Sequence, residues 1–370
     1  MKILLTSPET APQTAMESRH RIVVPFAKYN KRIVLYIAMS LASFLRPRAL
    51  HHVRVCMSTI HTPSRWDPIT KHIRTVTTIP SCPPSTCSCQ DMPSDLDIDH
   101  SKPLDGTMAA YHEHVMIPTG RTDWASRIEE DPKLPFITHL KETLGQKGKY
   151  GNPFHNVMVT TSSSPSVFPD SAILFPSFKQ VHSISTSDES IVNFIEGVVL
   201  PERLHPQTET MAEGATEHLK RKPELAEQLK MSDVTDVHVL ICGHGQRDSR
   251  CGILGPILQK EFEDKLRSSK YRLKEPSQAS VNHTRGDEAT MTESEVSQIS
   301  HIGGHKYAGN VIVYVPPVLK DHPLAGHGVW YGRVEPKHVE GIVKKTIEEG
   351  VVIKDLFRGG IDRKANLMRV

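Results

Sequence analysis

The chain has 370 residues, 38% of them apolar and 24% charged, with a mean hydropathy of −0.35; this suits about two globular domains and excludes an unfolded polyelectrolyte or a membrane bundle. Six cysteines are too few for a disulfide-built scaffold, so a cysteine that matters is expected to be a metal ligand or a redox group. The formal charge of +3 hides an asymmetry, because residues 1–60 hold nine Lys/Arg against Glu9 and Glu17; the remainder is net acidic and lacks the basic stripe of a nucleic-acid binder.

From Met39 the run MSLASFLRPRALHHVRVCMSTIH is rich in Ser, Leu and Arg and free of acids. It predicts a mitochondrial transit peptide, with the matrix or intermembrane space as destination, and residues 1–65 are read as a targeting or disordered extension. The apolar run Ile33 to Leu45 offers a competing secretory reading but is too short for a stable membrane span. Cys56 falls within the presequence. A Pro-rich lead-in, SCPPSTCSC, then brings Cys82, Cys87 and Cys89 together, with Cys87 and Cys89 as candidate redox thiols.

The body reads as two halves on one plan. HVMIPTG from His114 aligns with HVLICGH from His238, Asn156–Val159 with Asn310–Val313, Ala172–Phe175 with Gly328–Tyr331, and Val192–Leu200 with Val343–Ile353. Four matches in the same order argue for a tandem repeat, each copy running strand, helix, strand, strand, helix around a mixed sheet. Residues 66–204 and 234–370 are the expected domains. A charged linker, 205–233, carries a predicted solvated helix at Pro223–Leu229, and the polar run 275–297 is expected as a surface insert.

In the second copy Cys242 ends a strand and Cys251 follows with Gly243, Gly245, Arg247 and Arg250 between. A helix is predicted over Gly252–Leu266, with Pro256 in its first turn and Ile253, Leu254, Ile257, Leu258, Phe262 and Leu266 buried. That places Cys251 at a helix N-terminus, where free N–H groups favour a thiolate. Fifty residues on, His301-Ile302-Gly303-Gly304-His305 lets two imidazoles turn toward one centre. Two thiols and two imidazoles make a four-ligand set. Zinc sites favour two to four residues between cysteines, which fits this spacing poorly, whereas a binuclear iron–sulfur cluster accepts wider loops.

These segments, with Gly255-Pro256, Lys306 to Asn310 and Trp330 to Val334, resemble the sucrase/ferredoxin-like family, and within it the histidine-containing fungal mitochondrial branch. The resemblance implies tandem thioredoxin-like (ferredoxin-type) α/β domains with mixed sheets flanked by helices. It also implies a 2Fe-2S cluster held by Cys242, Cys251, His301 and His305. In the first copy Pro118 stands in the place of Cys242, and Lys147 and Gly151 in those of His301 and His305, so that copy is expected to be cluster-free. Two thiolates leave an oxidised cluster neutral, which favours taking up an electron relative to a four-thiolate centre, and Arg247, Arg250 and Lys306 are candidates for added positive field. The expected function is single-electron transfer or redox sensing with redox protein partners that the sequence does not name. A thioredoxin-like thiol oxidoreductase and a zinc-stabilised interaction module are the alternatives.

Overall fold

The computed structural model describes residues 76–86, 88–165, 170–209, 216–274 and 292–370. The presequence reading, Cys56, Cys87 and residues 275–291 of the polar run lie outside the described residues. The described residues all belong to one compact unit. In chain order the first half comprises β1 (Thr78–Ile79), β2 (Glu113–Pro118), α1 (Pro135–Leu144), β3 (Val157–Ser162), β4 (Ala172–Phe175), β5 (Lys179–His182) and α2 (Asp188–Phe194). The connection holds α3 (Pro206–Glu209), α4 (Pro223–Ala226) and β6 (Lys230–Asp233). The second half comprises β7 (Val237–Cys242), α5 (Ser249–Arg267), β8 (Arg272–Leu273), β9 (Glu293–Ile299), β10 (Val311–Val315), β11 (His327–Tyr331), α6 (Pro336–Ile342), β12 (Val352–Ile353) and β13 (Phe357–Ile361).

Each half repeats one sheet order, β3-β2-β4-β5 and β9-β7-β10-β11. The first pair is parallel and the rest antiparallel, an α/β sheet of mixed direction. Helices α2 and α6 even share a detail, each widening at its end into a π-helical turn at Ile195–Val199 and Val343–Glu348. The register corrects two of the four sequence matches. Phe175 and Tyr314 are counterparts, each opposite the equivalent His114 or His238, and Val157 corresponds to Ser294. Asn156–Val159 is therefore not the partner of Asn310–Val313, nor Ala172–Phe175 of Gly328–Tyr331. Short apolar strands resemble one another whatever their place, whereas β9, the true counterpart of β3, reads Glu-Ser-Glu-Val-Ser-Gln-Ile and hides among polar residues. The polar run thus gives way to a strand at Glu293, earlier than the expected end of the insert. The expected linker helix is also shorter, a single turn at α4, and the segment ends as strand β6 against β5.

The halves join where β3 meets β9 in an antiparallel bridge at Ser162 and Ile299. Around it Ser163 N–H donates to the Gln298 carbonyl at 2.8 Å and Ser300 N–H to that of Thr161 at 3.0 Å. Alternation then sorts the strands: Val115, Ile117, Ala172 and Leu174 pack with α1 and α2, whereas Met116, Ile173 and Phe175 join the core of the second half. The strands of both halves form one eleven-stranded sheet, and its two halves turn a face toward each other. On the inner faces Phe175 stacks on Tyr314 at 3.9 Å and 5°, the two counterparts meeting about the axis that relates the halves. Among the described residues no helix is long and apolar enough to cross a membrane.

Candidate metal centre

Cys242 and Cys251 are both buried, and glycines bring them together. The loop after β7 lies directly on α5: a Cβ at Gly255 would stand 2.6 Å from Gly243 Cα, and one at Gly252 would stand 2.5 Å from Gly245 Cα. Larger side chains would prise the loop from the helix. Helix α5 starts at Ser249, with Asp248 capping it by accepting from Arg250 N–H at 3.1 Å. Cys251 is therefore in the first turn rather than before it, and Pro256 lies inside the helix, not in its first turn. Leu254, Leu258, Phe262 and Leu266 are buried as expected, but Ile253 is 44% exposed, because it points away from the sheet.

The two histidines sit on the loop between β9 and β10. Gly303 and Gly304 both adopt positive φ, 81° and 71°, so the chain curls and the imidazoles of His301 and His305 come to 5.4 Å, tilted by 33°. Nδ1 of His301 is buried without a hydrogen-bond partner; His305 is exposed. His244 holds this loop from behind. Its Nδ1 accepts from the His301 backbone N–H at 3.1 Å, and its Nε2 donates to the carbonyls of Trp124 and Ala125 at 3.0 and 2.9 Å. The bonds assign the proton to Nε2 and tie the histidine loop to the first half. Beside His301 opens a cavity of about 160 Å³ lined by Arg127, Glu129, Lys141, Arg247 and Ser300 among others.

Electrostatically the thiols form a pair. A hydrogen bond from Cys251, with help from His301, holds the Cys242 thiol well below its ordinary range, and the same bond together with burial pushes Cys251 up. The favoured thiolate is thus Cys242, not Cys251 as the helix position alone suggests. Arg250 is answered by Asp248 at 2.9 Å and Lys306 by Asp99 at 3.5 Å, so neither is a free positive charge. The unforeseen cation is Arg358 on β13. It is 1% exposed and donates to Gly303 O at 3.2 Å, Asn310 Oδ1 at 2.6 Å, Thr107 O at 2.9 Å and Thr107 Oγ1 at 3.1 Å. Nothing in the local string FRGGI marks it, since only the fold buries it.

In the first half Pro118 does occupy the place of Cys242. The counterpart of His301 is Ser164 rather than Lys147, following from the Ser162–Ile299 equivalence, and that of His305 falls at residue 168, outside the described residues, rather than at Gly151. Of the lead-in cysteines, Cys82 is held as the protonated thiol: it donates to His338 O at 3.5 Å, and burial, then Asp355, pushes it up to about 12. Cys89 is half-buried.

A single tetrahedral ion with bonds of about 2.0–2.3 Å would draw its donors within about 4 Å of one another. No three of the donor atoms of Cys242, Cys251, His301 and His305 lie within 4.8 Å of each other; among the described residues Asp236, His238 and Glu295 do. There Lys274 Nζ already stands 3.2 Å from Asp236 and 3.9 Å from Glu295, a resident cation for both carboxylates.

Two thiols and two imidazoles at one end of a mixed sheet describe an α/β protein with a candidate metal centre. Residues 104–359 match the model of the sucrase/ferredoxin-like family, and the chain belongs to that family. It is similar to the altered inheritance of mitochondria protein 32 of Meyerozyma guilliermondii, 31% identical over 75% of this chain and 90% of that relative. The protein of the same name from Debaryomyces hansenii is 30% identical over 74% of this chain and 93% of its own, and that of Clavispora lusitaniae 31% over 76% and 96%. No solved structure matches.

Proposed function

We propose that this chain is a mitochondrial 2Fe-2S redox protein whose cluster is held by Cys242, Cys251, His301 and His305. The observation that carries it is the buried, unpartnered Nδ1 of His301 beside a buried thiol pair in which Cys242 is primed to ionise. A buried polar nitrogen without a partner is costly, and a metal bond relieves it. The separation of the four donors suits a two-iron centre better than one zinc ion. When bound, the cluster supplies a site that takes up and returns one electron. The chain's own part is to hold two thiolates out of water, to fix the backbone at His301 through His244, and to leave His305 at the surface where a redox partner docks. The acid-free presequence and the names of the fungal relatives support the mitochondrial location.

The test is anaerobic purification followed by an absorption spectrum with iron and acid-labile sulfide assays. A red-brown protein with two irons and two sulfides per chain is expected, whereas a colourless protein containing zinc would overturn the reading. The neighbouring thiols also favour a second reading, a dithiol–disulfide oxidoreductase. It requires a colourless protein whose Cys242 and Cys251 cross-link on mild oxidation.

A further inference from the structure

We infer that Arg358 is the built-in counter-charge of the cluster thiolates, holding the histidine loop by hydrogen bonds while favouring the reduced cluster by its fixed positive charge. The inference rests on the cluster reading above. Its geometry is independent of it.

A guanidinium keeps its charge in any protein environment. Removing one from water without an anionic partner costs several kcal/mol. Arg358 is 1% exposed, and the four acceptors it binds, two on Thr107, one on Gly303 and one on Asn310, are all neutral. No carboxylate pairs with it among the described residues. Aromatic faces of Tyr307 and Trp330 stand 5.7 and 5.8 Å away, which softens the cost but does not cancel the charge. Burial accordingly drags the arginine down to about 10, and the charge that chiefly opposes this is that of the Cys242 thiolate, beside the histidine loop whose Gly303 carbonyl the guanidinium already binds. The candidate ligand thiolates are thus the natural partners of an otherwise unanswered cation.

The packing shows that the cation is built in rather than adventitious. A Cβ at Gly304 would collide with the guanidinium, so the residue just before His305 is a glycine partly because Arg358 fills the space. Asn310 uses its other amide atom to donate to Gly304 O at 3.0 Å, closing a ring of bonds around the loop. Arg250 and Lys306, closer to the ligands in sequence, are each spoken for by a carboxylate. An oxidised cluster with two thiolates is neutral and its one-electron reduced form is an anion. A buried cation therefore stabilises the reduced form more, and no proton or bond changes hands at Arg358.

The test is a potentiometric titration of anaerobically purified full-length protein, followed by its visible absorption, for the parent, Arg358→Gln and Arg358→Lys, with iron and sulfide assayed in each. Arg358→Gln is expected to weaken one-electron reduction at least tenfold, about 59 mV lower, and Arg358→Lys to stay within threefold of the parent. Loss of the cluster in Arg358→Gln with retention in Arg358→Lys at the parental potential also supports the role of charge. An unchanged potential in cluster-replete Arg358→Gln overturns the inference and leaves the cluster reading intact. So does an Arg358→Lys protein that matches Arg358→Gln, or loss of the cluster in both, because then shape and not charge is at work. A parent without iron and sulfide removes the cluster reading itself.

Discussion

His114 and His238 occupy the same place in the two halves and live differently. Each contacts the aromatic ring that is the other half's counterpart of its own cross-strand neighbour: His114 lies against Tyr314, and His238 against Phe175 at 5.3 Å. Tyr314 has a hydroxyl, so His114 Nδ1 has a partner at 3.0 Å, and Thr160 serves its other nitrogen at 2.7 Å. Phe175 has none, and His238 Nδ1 is left without a bond. The loops that follow diverge in the same way. Six residues separate β7 from α5, just enough to set Cys242 beside Cys251, while sixteen separate β2 from α1. The longer loop has neither cysteine nor histidine and instead reaches across: Trp124 and Ala125 accept from His244, and Asp123 accepts from Gln246 N–H at 3.3 Å. The difference teaches that one copy provides the candidate chemistry and the other the clamp that shapes it.

The comparison breaks most completely at the thiols. Cys242→Ser or Cys251→Ser is expected to abolish the visible absorption and the bound iron, whereas His182→Ala, on an outer strand of the first half, leaves both at parental levels. Full iron and sulfide in Cys251→Ser would reassign the ligands. A smaller effect comes from Glu113, whose counterpart is Val237. Burial raises its carboxyl to about 7, against the Ser177 hydrogen bond and Arg221. A raised acid holds its proton in the folded state, so the stability it allows is intact below about 4.5 and is lost as pH climbs through 7, by at most about 3 kcal/mol. Glu113→Gln should therefore gain melting temperature on the parent between pH 5 and pH 8; a constant difference across that range would show that the group does not titrate there.

Next in size is Tyr314→Phe, which makes His114 resemble His238 and also takes a 2.6 Å partner from the Tyr111 hydroxyl. A loss of about 1–3 kcal/mol in denaturant unfolding is expected, as for orphaning buried polar atoms. The reverse exchange, Phe175→Tyr, offers His238 the bond it lacks and is expected to change stability by no more than about 1 kcal/mol, in the stabilising direction. A destabilisation above that would mean the inner layer has no room for one more oxygen.

Much of this was legible because the informative residues are rare types at constrained spacings. The buried strands β2 and β7 announce themselves as apolar runs, and Cys, His and Gly in the loops after β7 and β9 point to metal chemistry without any knowledge of packing. β9 was not legible, since its Ser and Gln are buried at a joint between strands where hydroxyl and amide groups bond across, as Ser162 does to Ser297 at 3.2 Å, and no local pattern distinguishes that from a solvated loop. Nor was Arg358, because burial of a charge is decided by everything that surrounds it. His244 stood in plain view within the cysteine loop, but its role depends on carbonyls 120 residues away.

The axis through Phe175 and Tyr314 has a consequence for valence. Two separate copies meeting about such an axis would form an isologous pair, obliged to present the same loop twice. Joined in one chain, the copies are released from that obligation, and among the described residues the candidate donor set occurs once. If the set holds the proposed cluster, the chain would have one electron to give and one face from which to give it.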